Sequence, residues 1–265
     1  MNDEHKALND HSFAICAYKE SPFLEECILS LKRQTVESDI FISTSTPNKS
    51  IDLLAKKYNI PVHVSNGSGI GGDWNSALNN ARTQYVTIAH QDDVYLKDYA
   101  QKLLQQLRRN EDALIAFCDY SEIYKGKVIP DNINLNIKKV LLSPLKFNNR
   151  RGFVKRIPLA FGDAICCPAV TFNIARLGGF QFDESLKCDL DWDAWEKLSK
   201  MNGAFLYLSE KLMLHRIHED SETSHILEDD SRSIEDLQIL RRFWPVPIAR
   251  LIGKAYKNSE KENQK

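Results

Sequence analysis

The sequence predicts an α/β fold built on an open, mostly parallel sheet with helices on both faces. Short runs of apolar and β-branched residues alternate with helical runs through the first half of the chain, in the order β-α-β-α-β-α-β. That order is typical of parallel sheets. The chain has 265 residues, of which 43% are hydrophobic and 27% charged, so it is long enough to bury a substantial core and ordinary in composition.

The first half supplies four strands and three helices. Pro22 begins the first helix, and Asn48 or Ser50 is the expected N-cap of the second. The third helix follows a glycine-rich loop. The predicted strands cover residues 12–17, 39–44, 60–65 and 84–89, and the predicted helices cover 22–34, 50–58 and the region after 67–72.

The second half of the chain is less regular. Residues 131–160 are predicted to be loop-rich, and the stretch 132–162 has seven Lys or Arg and no acid. Helical structure is expected again from about Ser231, with a last helix beginning near Pro247. Further strands are predicted at 112–120, at 164–172 and, with an internal turn, at 204–217, and a helix is predicted at 190–200.

Composition excludes some classes of protein. The formal net charge of -1 argues against nucleic-acid binding by bulk charge. The six cysteines form no C-x-x-C pair, which indicates reduced thiols in a cytoplasmic protein. The polar N-terminus lacks an apolar signal segment, and no run is long enough to span a bilayer. The local basic stretches instead indicate phosphates or an anionic lipid surface as partners.

The acidic pair Asp92 and Asp93 follows the fourth predicted strand, in the stretch VTIAHQDDVY. Adjacent carboxylates repel each other unless a positive group lies close to them. Spacing alone supports equally a divalent cation shared with a diphosphate and a turn that caps the next helix. Ligands of open α/β sheets bind at the carboxyl ends of the strands. The position of the pair therefore favours a metal.

Two other patterns are weaker by themselves. The glycines of residues 67–72 could let backbone N–H groups approach a phosphate, although the spacing matches no phosphate-binding motif and a plain turn fits as well. Asp189, Asp191 and Asp193 alternate near a helix start. One of them could act as a general base while the others favour the helix dipole.

The histidines of the stretch HRIHEDSET are the last candidates. His215 and His218 are three residues apart, as in some metal sites, but no third ligand lies close in the sequence. Contact of one histidine, or of the arginine between them, with a phosphate is the more plausible role, and histidines on a surface loop fit the pattern equally well. The adjacent Cys166 and Cys167 have no catalytic partner pattern, so we interpret them as packing residues.

Four stretches, taken in order, resemble the motifs of the family 2 glycosyltransferases, which have the GT-A fold. They run from residue 12 to about residue 223 and so cover most of the chain. Each motif is loose, but their order and spacing make the resemblance specific. The stretches are FAICAYKESPFLEECILSLKRQT, GIGGDWNSALNNARTQYVTIAHQDD, GGFQFDESLKCDLDWDAWEKL and HRIHEDSET.

The sequence departs from the family pattern at three places. The D-x-D motif of the family is replaced by His90-Gln91-Asp92, so Asp92 takes the place of the direct metal ligand. The acid that touches the nucleotide base in the family is replaced by Thr44 or Ser45, which leaves the base open. Trp74 stands where the family has an arginine.

The resemblance implies an inverting transfer of a sugar from a nucleotide-sugar to a hydroxyl group. It assigns Asp191 as the general base, and Asp92 with His218 as ligands of Mn²⁺ or Mg²⁺. The metal would neutralise the charge that develops on the diphosphate. The residues expected to bind the donor are Ala17, Tyr18, Glu20, Thr44, Ser45, Gly71, Asn75, His90, Gln91 and Asp92.

These expectations define a GT-A domain at 1–225, with a nucleotide-sugar half at about 12–95 and an acceptor half at about 96–225, followed by a helical extension with a polar tail at 226–265. A UDP-sugar is the favoured donor, and a glycan or a lipid-linked molecule in bacterial-type surface polysaccharide synthesis is the expected acceptor. The alternatives are a catalytically inactive binding or scaffold relative and a sugar-phosphate nucleotidyltransferase.

The C-terminal stretch LRRFWPVPIARLIGKAYK suggests peripheral contact with the inner membrane surface. It combines aromatic and aliphatic side chains with five Lys or Arg, a composition that favours an anionic interface. The competing interpretation is a helix packed on the catalytic domain.

Overall fold

The computed structural model describes residues 9–67, 69–218 and 231–262, with only the backbone at 231 and 257–262. The polar N-terminal residues, the end of the HRIHEDSET stretch, the boundary expected at residue 225 and the end of the polar tail lie outside the described residues.

A nine-stranded sheet forms the centre of the molecule, in the order β3-β2-β1-β4-β8-β6-β9-β5, with β7 paired to β6. The first four strands are parallel, as the sequence predicts. Strand β8 pairs antiparallel with both β4 and β6, whereas β9 is parallel to β6. The strands are β1 (His11–Cys16), β2 (Asp39–Thr44), β3 (Val62–Val64), β4 (Tyr85–His90), β5 (Val94–Tyr95), β6 (Ala113–Tyr124), β7 (Lys127–Ile129), β8 (Val170–Asn173) and β9 (Ala204–Ile217).

Helices cover both faces of the sheet, which confirms the predicted layering. Two apolar clusters lie on opposite faces, because alternate residues of a strand point in opposite directions: Phe13 and Ile15 belong to one cluster and Ala14 to the other. The helices are α1 (Leu24–Lys32), α2 (Lys49–Tyr58), α3 (Gly69–Asn80), α4 (Tyr99–Arg109), α5 (Ile133–Leu142), α6 (Gly152–Arg156), α7 (Leu190–Ser199), α8 (Ser231–Leu240) and α9 (Val246–Glu262). Helices α1, α2 and α4 contribute to the first cluster, and α3, α7, α8 and α9 to the second.

The predicted cap of α2 is present. The side chain of Asn48 accepts a hydrogen bond of 3.0 Å from the backbone N–H of Ile51. Helix α1, by contrast, begins two residues after the expected Pro22, at Leu24. The glycine-rich run does not form an extended loop, because α3 already begins at Gly69.

The prediction for residues 131–160 was wrong. This basic stretch contains α5, α6 and short 3₁₀ turns rather than loops, and Asn132 caps α5 through a 2.8 Å bond from the N–H of Leu135. The expected strand at 164–172 is reduced to β8, preceded by a 3₁₀ turn at Cys167–Ala169. The expected turn within 204–217 is instead an irregularity of register between β9 and β6.

The aromatic C-terminal stretch packs on the domain. Phe243, Trp244 and Ile252 lie against the second apolar cluster, and the indole of Trp244 donates a hydrogen bond to the carbonyl of Ala160. Tyr256 packs beside Trp192, with 5.9 Å between the ring centroids. These contacts match the packed alternative for the aromatic residues, whereas Ile248 and Leu251 of the same stretch are exposed. No described helix is both long and apolar enough to cross a bilayer.

Candidate active site

Two loops at the carboxyl ends of β1 and β4 are joined by a reciprocal amide contact. The backbone N–H of Tyr18 donates to the side-chain oxygen of Gln91 at 3.1 Å, and the Gln91 amide donates back to the Tyr18 carbonyl at 3.0 Å. Ala17 is buried beside β2, and Glu20 is exposed in the same loop. The parallel sheet thus brings together four of the predicted donor-site residues: Ala17, Tyr18 and Glu20 after β1, and Gln91 after β4.

The charge of Asp93 is compensated by the chain itself. Its carboxylate accepts the backbone N–H of Arg216 at 2.9 Å and lies 3.1 Å from Nδ1 of His215. Burial lowers the pKa of His215, but the charge and hydrogen bond of Asp93 outweigh burial and raise that pKa to about 9. His215 is therefore cationic at neutral pH, and Asp93 anchors β9 to the end of β4.

Asp92 lies beside two histidines. Its Oδ2 is 3.0 Å from Nε2 of His218, and one donor atom each from His90, Asp92 and Asp93 fall within 4.8 Å of one another. Burial raises the pKa of Asp92, but the hydrogen bond from His218 and the charges of His90 and His215 together outweigh burial. The net effect lowers the pKa, so the carboxylate is ionised at neutral pH. Asp92 and His218, the two predicted metal ligands, are thus adjacent although 126 residues separate them.

The ring of His90 is held by stacking. Trp74, which replaces the arginine of the family motif, lies parallel to it at a centroid distance of 5.4 Å and an interplanar angle of 24°. Nε2 of His90 is buried and has no hydrogen-bond partner within the described part of the chain. An unpartnered buried nitrogen of this kind is costly unless a ligand or water satisfies it.

Arg216 has a structural role that the sequence did not reveal. Its guanidinium donates to the backbone carbonyl of Asp92 at 2.7 Å and to the carboxylate of Glu26 at 2.6 Å, and it lies over the ring of Phe23. It therefore fixes the acidic loop to α1. The only signal in the sequence is an arginine between two histidines, in a stretch that resembles an arginine-containing segment of the family.

The position of the missing base-contacting acid is occupied by a different arrangement. Thr44 is fully buried and its hydroxyl accepts the N–H of Thr46 at 3.1 Å. The hydroxyl of Ser45 donates to Asp73 of α3 at 2.8 Å. Burial raises the pKa of Asp73, and hydrogen bonds from Ser45 and Ser65 oppose that shift. An acid is thus present beside Ser45, but it comes from α3, the second helix after this strand, so its place in the sequence did not reveal it.

Two predicted donor-binding residues have packing contacts. Asn75 is buried, and its amide bonds to both backbone groups of Phe182, at 3.1 and 2.7 Å, and to Glu184 at 3.0 Å. A Cβ added at Gly71 would lie 2.8 Å from the side chain of Leu190. In this structure both residues join α3 to the segment that precedes α7.

The three alternating acids near the start of α7 have different surroundings. Asp193 is fully buried and pairs with Lys197 and Arg242, each at 2.7 Å. Burial and the charge of Asp236 raise the pKa of Asp189 to about 10, so it is neutral at physiological pH. Asp191 is partly exposed and its Oδ1 accepts the N–H of Trp192 at 2.9 Å. Of the three, only Asp191 combines partial exposure with a carboxylate that is not held in a buried ion pair.

A second carboxyl accompanies Asp191. The side chains of Asp163 and Asp191 are hydrogen-bonded to each other, and burial, with the charge of Asp191, raises the pKa of Asp163 well above its usual range. The preceding Gly162 has φ +151°, and a Cβ there would meet the ring of Tyr256 at 2.7 Å. Helix α9 therefore contributes to the shape of the loop that carries Asp163.

Comparison with known proteins agrees with this architecture. The sequence profile described as "Glycosyl transferase family 2" matches residues 12–172, more than half of the chain and nearly all of β1 to β8. The chain belongs to glycosyltransferase family 2. It is a glycosyltransferase with the GT-A fold, as the sequence motifs predicted.

The individual proteins that resemble this chain have low sequence identity to it. The "Uncharacterized glycosyltransferase MJ1057" of Methanocaldococcus jannaschii is 25% identical over 215 residues, which cover 78% of this chain and 70% of the relative. The structure of S. aureus TarS 1-349 in complex with UDP-GlcNAc superposes with a TM-score of 0.64 at 15% identity, covering 92% of this family 2 chain and 70% of TarS 1-349. A mannosyltransferase from Pyrobaculum calidifontis, solved with GDP-Man and Mn2+, gives a TM-score of 0.59 at 13% identity, with coverages of 94% and 69%.

Proposed function

We propose that this family 2 enzyme transfers a sugar from a nucleotide-sugar to a hydroxyl of a glycan or lipid-linked acceptor, with inversion at the anomeric carbon. The observation that carries the proposal is the pairing of Asp92 with His218 at one end of the sheet, together with a partly exposed carboxylate, Asp191, at the start of α7. The pair of Asp92 and His218 suits a diphosphate with its cation. The carboxylate of Asp191 suits the removal of a proton from an acceptor.

The donor is expected between the β1, β2 and β4 ends, in the half of the domain at about 12–95. Tyr18 is 40% exposed next to the Gln91 contact, which leaves its ring available to a nucleotide. TarS was solved with UDP-GlcNAc and the Pyrobaculum enzyme with GDP-Man. We favour a UDP-sugar, with a GDP-sugar as the first competitor. Ser45, at the position of the family's base-contacting acid, and the Asp73 carboxylate bonded to it are the groups that would contact the base.

The residues around Asp92 suit a divalent metal ion. Asp92 is an ionised oxygen ligand, and His90 offers a buried nitrogen without a partner among the described residues. Carboxylate oxygens suit Mg²⁺, and mixed oxygen and imidazole donors suit Mn²⁺. Asp92 and His218 would hold the ion, which when bound supplies positive charge for the diphosphate leaving group. Binding of the ion would replace the present contact between His218 and Asp92.

The protein's own part of the reaction lies at Asp191. The carboxylate takes the proton of the attacking hydroxyl as the new bond to the anomeric carbon forms on the face opposite the leaving group. Trp192 N–H fixes one oxygen of Asp191, and Asp163 hydrogen-bonds to the same carboxylate. Burial lowers the pKa of Lys138, but interactions with Tyr120, Tyr256 and Asp163 outweigh burial and raise that pKa. Lys138 therefore keeps a positive charge close to this acid pair.

The decisive experiment measures release of nucleoside diphosphate. The purified protein is incubated with Mn²⁺ and a panel of UDP- and GDP-sugars, with and without acceptor hydroxyl compounds. Slow release with one donor, accelerated by an acceptor, supports the proposal. Pyrophosphate release from a nucleoside triphosphate and a sugar phosphate would instead indicate a nucleotidyltransferase. Binding of no nucleotide-sugar would indicate a scaffold relative.

We place the reaction at the cytoplasmic side of surface polysaccharide synthesis, where nucleotide-sugars and lipid-linked acceptors meet. The basic stretch 132–162, in the acceptor half at about 96–225, supports an acceptor that carries phosphate. Thin-layer or mass-spectrometric detection of a glycosylated product from a phosphate-bearing lipid acceptor tests this assignment. Transfer to neutral glycans alone would contradict it.

A further inference from the structure

The exposed apolar side chains of this protein are concentrated in one part of the chain. Among the described residues, the four most exposed large hydrophobic side chains all lie between residues 132 and 154. They are Phe147 at 90%, Phe153 at 78%, Ile133 at 76% and Val140 at 72% exposed. Isolated exposed apolar residues are ordinary, but a concentration of them marks a surface that contacts something.

Helix α5 presents a regular part of this surface. Ile133, Ile137 and Val140 are all exposed and recur at spacings of four and three, so they lie on one side of the helix. Leu135 and Leu142, on the other side, are buried at 3% exposure. The apolar outer stripe is therefore additional to the stripe that packs α5 on the domain, and the fold does not require it.

The two phenylalanines follow α5 directly. Phe147 ends the 3₁₀ turn Ser143–Lys146 that continues α5, and Phe153 lies on α6. This turn contacts both α5 and α6. We call Ile133, Ile137, Val140, Phe147 and Phe153 the interfacial face.

Charge indicates what the interfacial face contacts. The segment 132–162 has seven cations and no anion, although the whole chain has a formal charge of -1. Lys139 and Arg150 are neutralised by Asp131 and Asp112. Lys146 and Arg151, in contrast, are exposed and take part in neither of these pairs, and they precede the two phenylalanines by one and two positions in the chain. Alternating aromatic and basic side chains at a surface suit lipid headgroups of negative charge.

We propose that the interfacial face docks the enzyme on an anionic lipid bilayer, with the two phenylalanines inserted between headgroups. This surface differs from the C-terminal one that the sequence suggested, because Phe243, Trp244 and Ile252 of that stretch are packed against the core. The inference does not depend on the proposed transfer reaction, since binding to vesicles needs no substrate.

The test is co-sedimentation of the full chain with vesicles of phosphatidylglycerol and phosphatidylcholine, compared with phosphatidylcholine alone. We expect binding to the anionic vesicles at low salt, weakened by high salt because the headgroup charge is screened. The double variant Phe147→Ser, Phe153→Ser should lower the partition constant roughly tenfold or more. The double variant Lys146→Glu, Arg151→Glu should remove the preference for phosphatidylglycerol.

A matched control uses exposed apolar residues elsewhere. Leu53 on α2 and Val64 on β3 are 59% and 58% exposed, and the variant Leu53→Ser, Val64→Ser should bind vesicles as the wild type does. Since all of these positions are exposed, thermal melting should stay close to wild type. Wild-type protein that stays in the supernatant, or a phenylalanine variant that sediments equally, overturns the proposal. So does a concentration-dependent dimer lost in the phenylalanine variant, which would assign the surface to a second copy of the chain.

Discussion

Replacement of Asp191 by Asn separates chemistry from folding most sharply. The Asn side chain has the same shape and can still accept the 2.9 Å hydrogen bond from the N–H of Trp192. It cannot take a proton from an acceptor. Because Asp191 is partly exposed and no ion pair depends on it in the described structure, the free energy of unfolding should change little.

The expected loss follows from the role of a general base. Removing one typically costs about 10²–10⁴ in rate, or roughly 3–5 kcal/mol in the activation barrier. The full loss should appear, because burial raises the pKa of Asp163 and this neighbouring carboxyl therefore keeps its own proton. Affinity for the donor nucleotide should be unchanged, because Asp92 and His218 form a separate cluster.

The assay is release of nucleoside diphosphate in the presence of acceptor, with nucleotide binding measured separately by calorimetry. Asp193→Asn is the matched control on the same helix. It breaks the buried pairs with Lys197 and Arg242, so it should lower the free energy of unfolding by roughly 3 kcal/mol while the folded fraction keeps its activity. A turnover of Asp191→Asn within tenfold of wild type would refute the assignment. A folded but inactive Asp193→Asn would move the base to that residue.

Three further predictions concern the metal cluster, the loop anchor and a buried histidine. Asp92→Ala, or wild type with excess EDTA, should lose both turnover and the stabilisation by Mn²⁺ with nucleotide in thermal melting, and full turnover in EDTA would remove the metal from the mechanism. Arg216→Met should cost about 2–3 kcal/mol in urea denaturation, since it leaves Glu26 and the carbonyl of Asp92 unpaired, and Arg216→Lys should recover only part of this because it lacks the planar fork. His11 is buried against Ser38 and Thr87, and burial lowers its pKa from 6.5 to about 3. Between these values the unfolded chain binds the proton and the folded chain does not, so the stability contributed by neutral His11 is present above pH 6.5 and is lost as the pH falls. At about pH 5 the loss in the free energy of unfolding is about 2 kcal/mol. The variant His11→Gln should flatten that part of the pH profile.

Much of the donor half could be predicted from the sequence, because its signals are local. Apolar runs of strand length indicate buried strands, and the Asn48 cap indicates where a helix begins. These signals predicted β1 to β4 in the correct order along the chain. The strand end before Asp92 marked the ligand edge for the same reason. Residues 131–160 were misjudged because the outer side of α5 is apolar, so that the helix lacks the usual contrast between a polar and an apolar face.

The sequence by itself therefore determined the class of fold, the family and a short list of acids and histidines with the right chemistry. Only the tertiary structure decided which of them act together. Arg216 meets Glu26 across 190 residues, Asp163 meets Asp191, and Tyr256 fills the space left by Gly162. Such pairings depend on the order of strands in the sheet and on which polar groups lose water when the helices pack. Packing of α7 on the domain buried Asp193 in an ion pair and left Asp191 partly exposed, although the two residues stand on the same turn of one helix.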